Sequence, residues 1–241
     1  MKSIKEQPSQ KAVYMWNITG SMANAMLSMI VLMIVTRTVD NRQADIFSIA
    51  WTISQLMATI GTYQIRNYQA TDVKGIFKFR QYLQFRFITL GCMLVCSAVY
   101  IAVRNYDIYK ALIVFIVCIF RAVDSLADVY EGWFQQKERL DLSGKALTYR
   151  VVAAMISFTA ALVMTRNLML SCIVLTVAYI ICFFCFNIRY FINVPSLCEK
   201  KEEGHANGWI LKMAVAGFPL FLNGYIMRDI TNTPKMAIDT A

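Results

Sequence analysis

Histidine is almost absent from this chain, with one residue in 241, His205 in the mixed-charge segment Glu199 to Asn207. That scarcity argues against histidine-based acid–base relays and histidine metal sites. Glycine is sparse too, at ten residues, and none forms a phosphate-cradling loop or a nucleophile elbow. Charged residues make up only 16% of the chain, and no run alternates with the two-residue period of a strand. An intramembrane transferase could use Asp124, Asp128 and Glu131 with a divalent ion, but the further loop carboxylates or histidines such a site needs are missing. We therefore expect no enzyme, no metal and no cofactor. The seven cysteines, at 92, 96, 118, 172, 182, 185 and 198, form an odd set mostly inside apolar runs, which is no disulfide framework. Cys182 and Cys185 make a C-x-x-C around Phe183 and Phe184 and read as inert packing.

Apolar residues, by contrast, are 58% of the chain, and the mean hydropathy is +0.48. This is the composition of a membrane protein. Seven apolar spans can be drawn, near Tyr14 to Val35, Ile46 to Ile65, Tyr82 to Val103, Tyr109 to Tyr130, Leu147 to Met164, Leu168 to Tyr190 and Ile210 to Ile230. Most have the length a helix needs to cross a bilayer. A hairpin turn at Thr165-Arg166-Asn167 separates the fifth from the sixth. The first span carries Asn17, Asn24 and Ser28 and lacks a cleavage site before Arg37, so it reads as a membrane helix and not a secretory signal. The expected fold is an all-α polytopic membrane protein.

Lysine and arginine are distributed unequally between alternate connections. One side holds fifteen (Lys2, Lys5, Lys11; Arg66, Lys74, Lys78, Arg80; Lys137, Arg139, Lys145, Arg150; Arg189, Lys200, Lys201, Lys212) and the other five (Arg37, Arg42, Arg104, Lys110, Arg166). The positive-inside rule then puts the N-terminus in the cytoplasm of a plasma (inner) membrane protein. The net charge of +9 is accounted for by loops facing anionic lipid, without nucleic acid.

One stripe breaks the apolar pattern: Arg121, Asp124, Asp128, Glu131 and Gln135, at spacings of three, four, three and four, lie on one face of a helix. A charge at mid-bilayer costs roughly 2.5 to 3.5 kcal/mol even on the lenient insertion scale. Something must solvate it. Arg121 and Asp124 fall near mid-membrane, where their intrahelical pairing either presents a cation to a cavity or locks the helix to its neighbours. Asp128 falls near the exit, and Glu131 and Gln135 in a cytoplasmic loop. Asn17, Gly20, Asn24 and Ser28 form a second row, suited to helix packing or to lining a cavity. Trp51, Tyr63, Tyr68 and Trp133 read as interfacial belt aromatics. Trp133 and Phe134, followed by Lys137, Arg139 and Lys145, could form a short interfacial helix or a solvated connector.

Three segments carry a resemblance. They are Arg66-Asn67-Tyr68-Gln69-Ala70-Thr71-Asp72, then Glu131-Gly132-Trp133-Phe134-Gln135-Gln136-Lys137-Glu138-Arg139-Leu140-Asp141 with Gly144-Lys145, and finally Asn232-Thr233-Pro234-Lys235-Met236-Ala237-Ile238-Asp239. Together, in this order among the helices, they resemble the polysaccharide biosynthesis flippases, the O-antigen and capsule translocases of the multidrug, oligosaccharidyl-lipid and polysaccharide exporter superfamily. The resemblance implies two six-helix lobes around a cavity that opens alternately to each side. On that scheme residues 1–200 are one six-helix lobe, and residues 201–241 a cytoplasmic linker plus the first helix of the second lobe. The expectation is a partial chain: a fragment, an interrupted frame, or one half of a two-chain transporter.

The implied function is flipping of a polyprenyl-diphosphate-linked oligosaccharide for surface polysaccharide, lipopolysaccharide or capsule. Membrane lipid, a polysaccharide polymerase and glycosyltransferases are the implied partners. Cavity charges that would meet the diphosphate are Arg121, Asp124, Arg86, Arg66 and Asp128. Arg86 lies one turn inside its span, where snorkelling to headgroups competes with substrate contact. Arg66 shares that ambiguity. Arg228 and Asp229 suggest an outer gate or an interface anchor. The rival readings are a cation-coupled multidrug exporter of the same superfamily, which would want an acidic, aromatic-lined pocket, and a non-transporting truncated membrane protein.

Overall fold

The computed structural model describes residues 9–72, 75–194 and 208–238, with side chains as far as Thr231. Lys2, Lys5, Lys74, Cys198, Lys200, Lys201, His205 and Asp239 lie outside the described residues, as do the side chains of the last resembling segment. Among the described residues there are helices and no strand. In chain order they are α1 (Gln10–Thr38), α2 (Asn41–Thr62), α3 (Ile65–Thr71), α4 (Phe79–Val103), α5 (Ile108–Gln136), α6 (Leu140–Thr165), α7 (Leu168–Cys182), a π-helical segment (Phe183–Ile188), α8 (Arg189–Asn193) and α9 (Trp209–Ile238).

Local chemistry sets several ends. The Ser9 hydroxyl accepts from Ala12 N at 3.3 Å to start α1, and Asn167 accepts from Leu170 N at 3.1 Å to start α7. Between α6 and α7 the chain turns through Arg166 in the left-handed region (φ 49°), the hairpin expected at Thr165-Arg166-Asn167. The Asp72 carboxylate accepts from Ile76 N (3.0 Å), Phe77 N (3.1 Å) and the Tyr82 hydroxyl (3.1 Å), which ties the return from α3 onto α4.

α5 is the central helix. It packs on α2, α3 and α4 on one side and on α6 and α7 on the other, while α1 lies on α6 and α9 lies on α2 and α3. Phe47, Trp51, Phe120, Phe158 and Tyr179 meet through ring contacts in the middle. Lipid tails are as apolar as these rings, so close packing and buried polar contacts hold the helices together. The outer faces of α1, α4 and α9 are apolar and exposed, as at Met22, Met29, Val95, Leu211 and Val215. Apolar faces of this kind mark a surface that meets a membrane or another protein.

Five helical stretches are long and apolar enough to cross a membrane: Gln10–Thr38, Phe79–Val103, Leu140–Thr165, Leu168–Asn193 and Trp209–Thr231. α2 and α5 are of similar length, but α2 is less apolar and α5 carries Lys110, Arg121, Asp124, Asp128 and Glu131. The difference follows from position, since twelve of the 22 residues of α2 are buried but only four of the 29 of α1. A helix enclosed by other helices has no need of an apolar surface all round.

Several expectations are corrected. Glu131 and Gln135 belong to α5, which continues to Gln136, so no loop or interfacial helix begins at Glu131. Trp133 and Phe134 are buried, and Trp51 is 1% exposed with its indole N–H donating to Ser28 Oγ at 3.1 Å. Neither tryptophan forms part of an interfacial belt. The fifth span starts at Leu140, seven residues earlier than expected, and Arg66 to Thr71 form a helix and not a loop. The helix carrying Cys182 and Cys185 widens into the π-helical segment between them; Cys182 is buried and Cys185 exposed.

Candidate functional site

The stripe read from the sequence is the backbone of the site. α5 carries Asp124, Asp128 and Glu131 four and three residues apart, so all three carboxylates leave one face of the helix. Guanidiniums from α3, α4, α5 and α6 close on them in a continuous alternating series. Arg86 Nη2 lies 3.1 Å from Asp128 Oδ2, and Arg66 Nη1 lies 2.9 Å from Asp128 Oδ1 and 3.4 Å from Glu131 Oε2. Arg150 Nη1 is 2.7 Å from Glu131 Oε1, Arg150 Nη2 is 3.1 Å from Asp124 Oδ1, and Arg121 Nη1 is 3.6 Å from Asp124 Oδ2. Every carboxylate in the series touches two arginines. This is what makes three carboxylates tolerable among apolar helices, since each ion left unpaired there would cost several kcal/mol.

The members divide by exposure. Arg86, Arg150 and Glu131 have side chains at most 2% exposed, whereas Arg66, Asp128 and Asp124 are 23–28% exposed. The exposed members open onto a cavity of about 420 Å³, also lined by Glu131, Arg150, Asn24, Thr62, Gln64, Asn67, Ser125, Gln135, Leu147 and Arg228. Leu147 is the one apolar residue in that lining, and none of its residues is aromatic. Arg228 Nη1 donates to the Gln55 carbonyl at 2.9 Å, which supplies a dipole but no counter-charge. The charges of the lining balance, with Arg66, Arg150 and Arg228 against Asp124, Asp128 and Glu131, while Arg86 and Arg121 lie behind it.

The sequence-derived candidates therefore separate. Arg66, Asp124 and Asp128 line the cavity. Arg86 neither snorkels nor reaches the cavity: it is fully buried, and its Nη1 donates to the Gly61 carbonyl at 2.7 Å beside the Thr89 hydroxyl at 2.8 Å. That carbonyl is left unpaired where α2 ends, and a cation there also meets the negative end of the helix. Arg121 is turned from the cavity, with its guanidinium 4.6 Å from the Trp51 ring centroid and 5.1 Å from that of Phe120. It is held by Asp124 and by aromatic faces. Arg228 is at the cavity beside Asp124, and about 15 Å of α9 runs beyond it. Asp229 is exposed. The row on α1 divides too: Gly20 packs on Gly144, Ser28 on Trp51, and Asn24 lines the cavity.

Arg150 and Asn187 are the residues that sequence reasoning missed. Arg150 was tallied with the loop arginines, yet it stands inside α6, bridges Glu131 and Asp124, and lies 5.0 Å from the Tyr179 ring centroid. Asn187 is fully buried, accepts from Arg150 Nη1 at 3.2 Å and donates to Glu131 Oε1 at 3.4 Å. It sits in the π-helical segment, a distortion found mostly at functional sites. Its signal was available: one amide in an otherwise apolar run. We expect Asn187→Leu to destabilise the protein by about 1–3 kcal/mol, because Arg150 and Glu131 each lose a buried partner. A melting curve in detergent that overlays the wild type would contradict this.

Among the described residues, no group of three or more His, Cys, Asp or Glu is arranged to hold a metal ion. Compared with known proteins, the chain matches no family model, no curated protein and no solved structure. Fold and site together define an all-helical protein, with several helices apolar enough to span a membrane, built around a polar, arginine-rich cavity.

Proposed function

We propose that this chain moves the anionic headgroup of a lipid-linked oligosaccharide across a membrane, as its resemblance to the polysaccharide flippases suggests. The observation that carries this reading is a polar cavity of about 420 Å³ lined by three arginines, of which Arg66 is 28% exposed and Arg228 is hydrogen-bonded to a backbone carbonyl. A lipid diphosphate cannot cross hydrocarbon bare, and arginines preorganised around water are what its oxygens require. The volume lies within the roughly 300–1,000 Å³ of ordinary ligand pockets.

Arg66 is the cation best suited to meet it. Its side chain is 28% exposed, and each of its carboxylates keeps a second arginine if Arg66 leaves: Arg86 for Asp128, Arg150 for Glu131. The exchange orphans no charge. On this reading α2 and α5 cross the membrane within the bundle, the seven spans belong to one lobe and the start of a second, and the N-terminus faces the cytoplasm. The multidrug-exporter alternative is disfavoured by the same lining, in which each carboxylate is matched by an arginine and no residue is aromatic.

The test is flipping of a fluorescent polyprenyl-diphosphate sugar in proteoliposomes, read by quenching at the outer leaflet. One charge-assisted contact is worth about 2 kcal/mol, so Arg66→Gln should slow flipping about thirtyfold, with Arg66→Lys intermediate. Equal rates for wild type, Arg66→Gln and protein-free vesicles would overturn the proposal and favour the non-transporting reading.

A further inference from the structure

The α2–α3 junction joins the cavity to α9. Tyr63 and Gln64 both adopt the left-handed conformation, at φ 45° and 51°, and so break what would otherwise be one helix from Asn41 to Thr71. Non-glycine residues stay in that region only where their surroundings hold them. Two sets of contacts hold them here.

On the cavity side, α3 is anchored through Arg66 to Asp128 and Glu131. On the other side, the Tyr63 ring stacks on Phe221 of α9 with centroids 4.7 Å apart and planes 9° from parallel, and its hydroxyl donates to the Ala214 carbonyl at 3.2 Å. α9 is shaped to receive the break. A Cβ on Gly217 would come within 3.1 Å of the Tyr63 ring, and one on Gly224 within 3.0 Å of the Gln64 side chain, so two glycines seven residues apart make the notches that accept these two residues. Gln64 also lines the cavity.

We propose that the Tyr63–Gln64 break is a lever, by which an anionic group that takes Arg66 from its carboxylates turns α3 and loosens the seat of Tyr63 on α9. The inference rests on the cavity binding such a group and adds the consequence of that binding. α3 is seven residues, about 10 Å, with its pivot at one end and Arg66 one residue inside it. When Arg66 follows a phosphate into the cavity, the pivot is the part of the backbone free to absorb the change. Besides this seat, α9 is held to α2 by the Arg228–Gln55 hydrogen bond and packs on α2, α3 and, to a lesser extent, α4.

The experiment uses the full chain in nanodiscs, with farnesyl diphosphate as the probe. It reads binding by calorimetry and deuterium uptake in α9 between Ala214 and Arg228. In the wild type, saturating probe should raise uptake there about fivefold, the shift that loss of one ordinary hydrogen bond brings. Tyr63→Ala, which leaves the cavity lining intact, should bind the probe as the wild type does, show the raised uptake without ligand, and show no further rise with it. If that variant does not fold, Tyr63→Phe removes only the bond to Ala214 and should raise ligand-free uptake while shrinking the increment. Binding with unchanged uptake in the wild type would overturn the lever and leave the cavity reading standing. So would an undiminished increment in Tyr63→Phe. No binding at all would overturn both.

Discussion

Arg150→Leu is expected to destabilise the protein by about 3–5 kcal/mol, the usual result of removing one partner from a buried ion pair. Arg150 is 1% exposed, it is the only guanidinium that touches both Glu131 and Asp124, and Asn187 turns to it as well. Removing it leaves Glu131, itself 2% exposed, dependent on Arg66 at 3.4 Å. Glu131→Leu should cost a comparable amount for the mirrored reason. The double variant is the sharper measurement, because replacing both charges with leucine takes away the uncompensated ion along with the pair. It should lie well below the sum of the single effects. The midpoint of thermal loss of monodispersity in detergent reports this, with about 10 °C expected for each single variant. Additive single effects would mean that the pair is not coupled.

Gly144→Leu should release α1 from the bundle. A Cβ at Gly144 would run into the backbone carbonyl of Trp16 and lie 2.8 Å from Asn17 N, while one at Gly20 would lie 3.0 Å from the Gly144 carbonyl oxygen. The two backbones touch along this seam, and a backbone cannot step aside as a side chain can. Overpacking costs about 1–3 kcal/mol where side chains can yield, and here they cannot. α6 is the principal partner of α1, so this loss has no substitute. Deuterium uptake along α1 should rise throughout its length in Gly144→Leu. Gly91→Ala is the matched control, since nothing lies within 4 Å of its added Cβ. Protection of α1 in Gly144→Leu equal to that in the control would contradict the seam.

The central carboxylate stripe was readable because it combines helical spacing with an apolar background, two signals that survive without tertiary information. Its partners were not. Arg150 and Arg66 have the same charge and the same nearness to span ends as the lysines around them, and a count of positive residues cannot tell a cation that faces headgroups from one that faces a carboxylate. Trp51 and Trp133 misled for a related reason: their distance from the span ends suited an interface, while their direction was inward. The break at Tyr63–Gln64 was hidden because neither residue is glycine or proline, so the left-handed turn is imposed by what surrounds it. Arg121 was placed on the right face of the right helix, and only the neighbouring rings show that it turns from the cavity.

The alternating series of charges also has a bearing on the order in which the chain is assembled. α5 presents three carboxylates and one arginine to whatever surrounds it, so on its own it partitions poorly into lipid. Of its outside partners, Arg66 and Arg86 precede it in the chain and Arg150 follows it. During synthesis, Asp128 has both of its arginines on helices already made, whereas Asp124 and Glu131 have one each, Arg121 and Arg66, and gain their second, Arg150, only with α6. The charge series is therefore completed only when α6 has been made, and α5 and α6 together form a hairpin that carries much of its own counter-charge.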